Sequence, residues 1–132
     1  MSIFIDTSAV YALLDRDDAD HKKAKKMLVD LLDSENTLIT SNYVLVESFA
    51  LIQNRLGLEA ARRFQEDMMP LINIEWVNAG THKSGMSALL AASRRKLSLV
   101  DCVSFEIIRT LGIKRVFAFD SHFTEQGFQC IP

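Results

Sequence analysis

Cysteine is scarce in this chain of 132 residues: Cys102 and Cys130 are the only two. They form no CxxC pair and have no Cys/His ligand spacing, so no zinc-binding or thioredoxin-like motif is present, and a small secreted scaffold would carry more of them. Two prolines and five glycines are too few for a collagen-like or low-complexity chain. Neither sign of charge dominates. Fifteen Lys and Arg face 17 Asp and Glu, a net of −2, so the basic balance usual in a nucleic-acid binder is missing. Long hydrophobic runs are missing too. The most apolar stretch, Tyr43 to Ile52, contains Glu47 and is far too short to span a bilayer. The opening MSIFIDTSAV has no basic segment and meets Asp6 at once, unlike a secretory signal. Together these features predict a reduced, soluble, cytoplasmic protein with no membrane attachment.

What is present is an ordinary globular composition, 48% hydrophobic and 24% charged in 14.9 kDa. That length suits one domain over residues 1–132, able to bury about two-thirds of its unfolded surface without a disulfide or structural metal. Short β-branched runs alternate with helical periodicity. Met1–Ile5, Thr37–Thr40, Ile72–Val77, Arg115–Phe119 and Phe128–Ile131 read as strands, the last at an edge. Helices are expected after Asp6, from about His21 to Asp33, from Ser41 to about Arg55, from Leu58 to about Met68, after a turn at Gly80 as far as Arg95, and from Ser98 to Leu111. Alternation of this kind implies an α/β fold, a parallel sheet of four or five strands covered on both faces.

Ligands of such sheets bind beyond the carboxyl ends of the strands, where the strand order reverses. Asp6 closes the first expected strand and Asp120 the fourth, so the two carboxylates face each other if those strands are neighbours. Helix capping explains either one alone equally well. Glu47 lies in a helix that is apolar nearly all round, where an ionised carboxylate is costly unless paired with an Arg or bound to a metal. Asp101 completes Ser98-Leu99-Val100-Asp101, the pattern of a capping box, whose first turn also aims at the crevice. Four carboxylates on four elements have one common explanation. Mg²⁺ or Mn²⁺ prefers oxygen ligands, and two such ions about 3.5–4 Å apart hold the attacking and leaving oxygens of a phosphoryl displacement.

These residues resemble the PIN-domain ribonucleases, most closely the VapC-type toxins of VapBC toxin–antitoxin pairs. The resemblance rests on Asp6-Thr7-Ser8 after the first strand, Glu47 in an apolar third helix, the stretch Leu97 to Phe105 around Asp101, and Phe119-Asp120-Ser121-His122-Phe123, in that order over nearly the whole chain. It implies a three-layer α/β/α sandwich with strand order 3-2-1-4-5. It also implies a Mg²⁺- or Mn²⁺-dependent endoribonuclease that leaves a 5′-phosphate and a 3′-hydroxyl. By carry-over, Asp6, Glu47, Asp101 and Asp120 are the metal-binding acids, while Thr7 and Ser8 orient ligands or touch phosphate. A cognate antitoxin and a homodimer are implied partners. His122 is beside Asp120 and is expected to make a structural hydrogen bond.

With the four acids set aside, the balance becomes 15 positive to 13 negative. The remaining surface therefore need not repel an RNA backbone. Arg94 and Arg95, with Lys96, precede the segment leading to Asp101 and are the first candidates for phosphate contact. Other α/β readings fail. A receiver domain needs a phospho-acceptor Asp after the third strand, where Asn78-Ala79-Gly80 stands. A haloacid-dehalogenase-type phosphatase needs an Asp at position 8, which is Ser8. Neither GxGxxG nor GxxxxGK[ST] occurs. Two readings within the fold stay open beside the toxin: an RNA-processing nuclease without an antitoxin, and a non-catalytic binding module.

Overall fold

The computed structural model describes the whole chain, Met1–Pro132. Five strands, β1 (Ser2–Ile5), β2 (Thr37–Ser41), β3 (Ile72–Glu75), β4 (Arg115–Phe117) and β5 (Gln129–Ile131), pair in the order β3-β2-β1-β4-β5, all parallel. The helices between them are α1 (Thr7–Leu14), α2 (His21–Asp33), α3 (Asn42–Leu56), α4 (Leu58–Arg63), α5 (Ala79–Ala92), α6 (Leu99–Thr110) and α7 (Ser121–Glu125). Their apolar faces divide into two cores because successive strand side chains point to opposite faces. Ile3, Ile5 and Phe117 pack with Val10 of α1, Leu31 of α2 and Ile52 of α3. Phe4 and Val116, one residue out of phase, pack on the other face with Val103 and Ile108 of α6 and Phe123 of α7. The result is the three-layer sandwich that the resemblance implies, with β1 and β4 buried on both faces. Cys102 and Cys130 are free thiols, the first inside the second core. No helix is long and apolar enough to cross a membrane.

The order positions the crevice. The chain builds outward from β1 to β2 and β3, then returns to lay β4 on the other side of β1. The reversal therefore falls between β1 and β4, whose carboxyl ends carry Asp6 and the segment to Asp120. That end of the sheet is fastened by buried polar groups. Thr40 Oγ1 donates to the Ile5 carbonyl at 2.7 Å, and the Asp6 amide donates to the Phe117 carbonyl at 3.1 Å.

Several element boundaries differ from those the sequence suggests, each for a local reason. β3 stops at Glu75 instead of Val77, because the Val77 amide donates to Asn42 Oδ1 at 2.8 Å and leaves the ladder. β4 stops at Phe117 instead of Phe119, because the Phe119 amide is taken by Ser8 Oγ at 3.0 Å. Gly80 is inside the first turn of α5, not ahead of it. Asn78 caps that helix through a 2.8 Å bond from the Thr81 amide, and α5 ends at Ala92 where Ser93 turns left-handed at φ 50°. The helix expected from Leu58 to Met68 breaks into α4, a π-helical turn (Phe64–Met68) and a 3₁₀ turn (Met69–Leu71). Pro70 cannot continue an α-helix, and the wider turn closes with the Met69 amide on the Phe64 carbonyl while Phe64 and Met68 both stay buried.

α5 and α6 approach closely at Gly85. A Cβ built there would lie 2.5 Å from Val103 Cγ2 and 3.3 Å from the Val103 backbone. Glycine is required by space, not by backbone conformation.

Candidate active site

Asp6 leaves β1 in extended conformation and caps α1, its Oδ2 accepting from the Ser8 amide at 3.2 Å and from Ser8 Oγ at 2.9 Å. The same Ser8 oxygen accepts the Phe119 amide. One hydroxyl thus ties the end of β1 to the segment leaving β4. The Asp6 side chain is almost wholly enclosed, and burial pushes its pKa up to about 6. The Ser8 hydrogen bonds oppose that rise and the charge of Asp101 adds to it.

Asp101 is held by the capping box the sequence suggests. Its amide donates to Ser98 Oγ at 3.0 Å, and its Oδ2 accepts the Ser98 amide at 3.1 Å. Asp120 caps α7, Oδ1 accepting the His122 amide at 2.9 Å. Capping and membership of the cluster are therefore compatible: each carboxylate uses the helix end to fix its direction. Asp101, Asp120 and His122 bring one ligand atom apiece to within 4.8 Å of one another. His122 Nδ1 is 3.3 Å from Asp101 Oδ2 and 3.2 Å from Asp120 Oδ1.

Glu47 projects from α3 but is half-buried, not enclosed as its apolar helix suggests. Its neighbour Val46 points to solvent at 70% exposure, which leaves an open flank for the carboxylate. Burial pushes Glu47 up, the Thr7 hydroxyl opposes this, and the charges of Asp101 and Asp120 raise it further. Ser48 Oγ donates to Thr7 Oγ1 at 3.3 Å, both residues being buried, so α3 is pinned to α1 one residue away from each acid. A cavity of about 330 Å³, lined by Asn42, Tyr43, Val46, Glu47 and Val100, opens at Glu47. Neighbouring it, the Tyr43 hydroxyl hydrogen-bonds His82 Nδ1 across to α5.

No Lys or Arg forms an ion pair with any of the four acids. The internal Arg partner considered for Glu47 is absent. Arg94 and Arg95 are in the exposed connection between α5 and α6. Arg94 Nη1 bonds Glu125 Oε2 at 2.8 Å, holding that carboxyl below its usual range, while Arg95 stands without an ion-pair partner.

The donor set suits a hard divalent cation. Asp101 and Asp120 bring oxygens together beside His122, Asp6 and Glu47 feel their charge, and no Lys or Arg is paired with any of the four. His122, which the sequence put beside Asp120 with a structural hydrogen bond as its first role and contact with the site as its second, joins the cluster. Its position two residues past Asp120 was the available signal, since a side chain that close to an N-cap turns back over the cap.

A family model for the PIN domain matches residues 3–129. The chain belongs to the PIN domain family. Among curated relatives, the 23S rRNA-specific endonuclease VapC20 of Mycobacterium tuberculosis is 33% identical over 127 residues, 96% of this chain and 95% of that protein. The crystal structure of VapC20, described as a Sarcin-Ricin loop cleaving toxin, superimposes with a TM-score of 0.83 at 34% identity, covering 96% of this chain and 95% of the other. FitAcB of Neisseria gonorrhoeae aligns with a TM-score of 0.71 over 100% of this chain and 97% of its own. VapBC2 of Rickettsia felis, bound to a promoter DNA fragment, gives 0.72 over 98% and 97%. Both are 13% identical and share the fold.

Proposed function

We propose that this PIN domain is an endoribonuclease acting as the toxin of a toxin–antitoxin pair, with Asp6, Glu47, Asp101 and Asp120 as its catalytic and metal-binding acids and Mg²⁺ or Mn²⁺ as its cofactor. The observation that carries this reading is the approach of Asp101 and Asp120 at His122, with Asp6 coupled to Asp101 and Glu47 to both by charge and no Lys or Arg paired with any of the four, together with a one-third-identical relative named as an rRNA endonuclease. All of residues 1–132 act as one nuclease domain. When bound, the divalent ion supplies positive charge to the reacting phosphoryl group and to the entering water.

The residues of this chain do the positioning. Ser8 holds the Asp6 carboxylate by donating to it while bracing the exit of β4, and Ser98 holds Asp101 through the capping box. Thr7 and Ser8 present small polar groups beside the acids, where they orient ligands or meet a phosphate. The Arg94–Arg95 segment lies on the approach to α6 and gives sequence-independent attraction to the RNA backbone. Arg95 contributes more than Arg94, which is already tied to Glu125. Cleavage leaves a 5′-phosphate and a 3′-hydroxyl.

A protein antitoxin is the proposed partner, supported by the relative described as a toxin. A homodimer is proposed as well, on the resemblance to VapC-type toxins.

Cleavage of purified ribosomal RNA tests the reading, with 23S rRNA first because the relative's name specifies it. Cutting in Mn²⁺ or Mg²⁺ that stops in EDTA and in Glu47→Gln is the expected outcome. A folded, antitoxin-free protein that cuts no RNA in any metal is instead a non-catalytic PIN module.

A further inference from the structure

His122 Nδ1 has unusual surroundings. The atom is sealed from solvent, yet it makes no properly directed hydrogen bond. Carboxylate oxygens flank it at 3.2 and 3.3 Å. A buried polar atom without a partner is uncommon and calls for an explanation. Those separations suggest one. Ligands about 2.0–2.2 Å from a six-coordinate ion are roughly 3 Å from their neighbours, so Nδ1 is spaced from each carboxylate oxygen like an adjacent donor, and all three atoms lie within 4.8 Å of one another. The backbone sets the arrangement in advance. Asp120 caps α7 and takes the His122 amide, which folds the ring back over the cap, while the Ser98 box fixes Asp101 opposite. The other two histidines are occupied elsewhere: His21 Nδ1 hydrogen-bonds the Ala12 carbonyl, and His82 Nδ1 bonds Tyr43.

We propose that His122 Nδ1 is a direct ligand of the divalent cation held between Asp101 and Asp120, and that this nitrogen makes the site prefer Mn²⁺ to Mg²⁺. The inference rests on the metal-nuclease reading above and names its ion. Mg²⁺ takes oxygen donors and parts with water reluctantly, so imidazole adds little to its binding. First-row transition ions accept imidazole nitrogen, increasingly so from Mn²⁺ through Fe²⁺ and Co²⁺. An all-carboxylate site has no such bias built in. The proton of the neutral ring then sits on Nε2, which leaves the Nδ1 lone pair for the ion.

Mn²⁺ binding without RNA is the test. Pulsed electron paramagnetic resonance of the wild-type protein with one equivalent of Mn²⁺ is expected to show ¹⁴N coupling from a directly bound imidazole. Labelling the histidines with ¹⁵N should replace that signal by the ¹⁵N pattern. In titration calorimetry, His122→Asn should lose at least tenfold in Mn²⁺ affinity while Mg²⁺ affinity changes less than twofold, with circular dichroism confirming the fold. The inference is overturned if wild type binds Mn²⁺ without nitrogen coupling, or if the Mn²⁺-to-Mg²⁺ ratio is the same in His122→Asn. A wild type that binds neither ion overturns the metal-nuclease reading as well, which separates the two failures.

Discussion

Replacing Asp6 by asparagine removes a charge and changes little else, because Asn caps a helix as well as Asp does and offers Ser8 an acceptor in the same place. The wild-type carboxyl titrates at about 6 when folded and near 3.8 otherwise. A folded pKa raised in this way means that the ionised form is disfavoured. Stability is greatest below the unfolded value and falls as pH rises through the folded one. One unit corresponds to about 1.4 kcal/mol, so the full loss is about 3 kcal/mol. Roughly half of it has already occurred at pH 5, and it is complete above about pH 7. Asp6→Asn does not titrate. Its stability relative to wild type in EDTA should therefore climb by about 1.4 kcal/mol between pH 5 and pH 8, whatever constant offset the altered hydrogen bond contributes. For a chain of 132 residues that is about 5 °C in melting temperature. Denaturant unfolding of both proteins across that range measures it, with the metal-free state held by chelator. Saturating Mn²⁺ should shift the difference back toward wild type, since an ion bound at 100 times its Kd adds about 2.7 kcal/mol to the protein that binds it. A difference that stays flat to within about 0.5 kcal/mol from pH 5 to 8 refutes the claim that Asp6 is a desolvated, uncompensated carboxylate.

Glu47→Gln should lower RNA cleavage at least a hundredfold while leaving the melting temperature of the metal-free protein equal or higher; retained cleavage with lost stability would make Glu47 a structural residue. Asp101→Ala removes both the cluster carboxylate and the acceptor of the Ser98 capping box, so it should lose activity and also about 0.5–2 kcal/mol of stability by denaturant unfolding. Gly85→Ala should destabilise by about 1–3 kcal/mol despite the better helix propensity of alanine, because its methyl meets Val103; a variant as stable as wild type would show that α5 and α6 separate freely.

The sheet was legible because its signal is local. Each strand is a short β-branched run between turn residues, and the half-turn offset of Phe4 from Ile3 and Ile5 reports burial on both faces. The positions of Asp6, Asp101 and Asp120 were legible because a residue that closes a strand or starts a helix has its direction set by that junction. What escaped reading depends on bonds between distant segments. β4 loses two residues to the hydroxyl of Ser8, 111 positions earlier, and β3 gives up the Val77 amide to Asn42. The hydrophobicity of α3 suggested an enclosed Glu47, yet only one side of that helix packs fully. Val44, Leu45, Ser48 and Ile52 go inward, while Val46 and Ala50 face solvent. Composition around a residue does not say which neighbours cover it. The break at Phe64–Met68 likewise depends on keeping two side chains in the core across a proline stop.

The hydrogen bonds around the acids have a common character. Ser8, Ser98, Thr7 and backbone amides satisfy or steer the carboxylates, and all of them are neutral. An arginine in any of their places would stabilise the metal-free fold more, since removing a buried carboxylate from water without a counter-charge is the costlier arrangement. It would also fill the position where a cation has to enter. Neutral donors fix direction without cancelling charge, so the crevice keeps its negative charge for the proposed divalent ion at the cost of about 3 kcal/mol at Asp6. A domain of ordinary stability, about 5–15 kcal/mol, can absorb that. His122 fits the same logic as the proposed ligand, because an imidazole nitrogen between two carboxylates can give its lone pair to the metal.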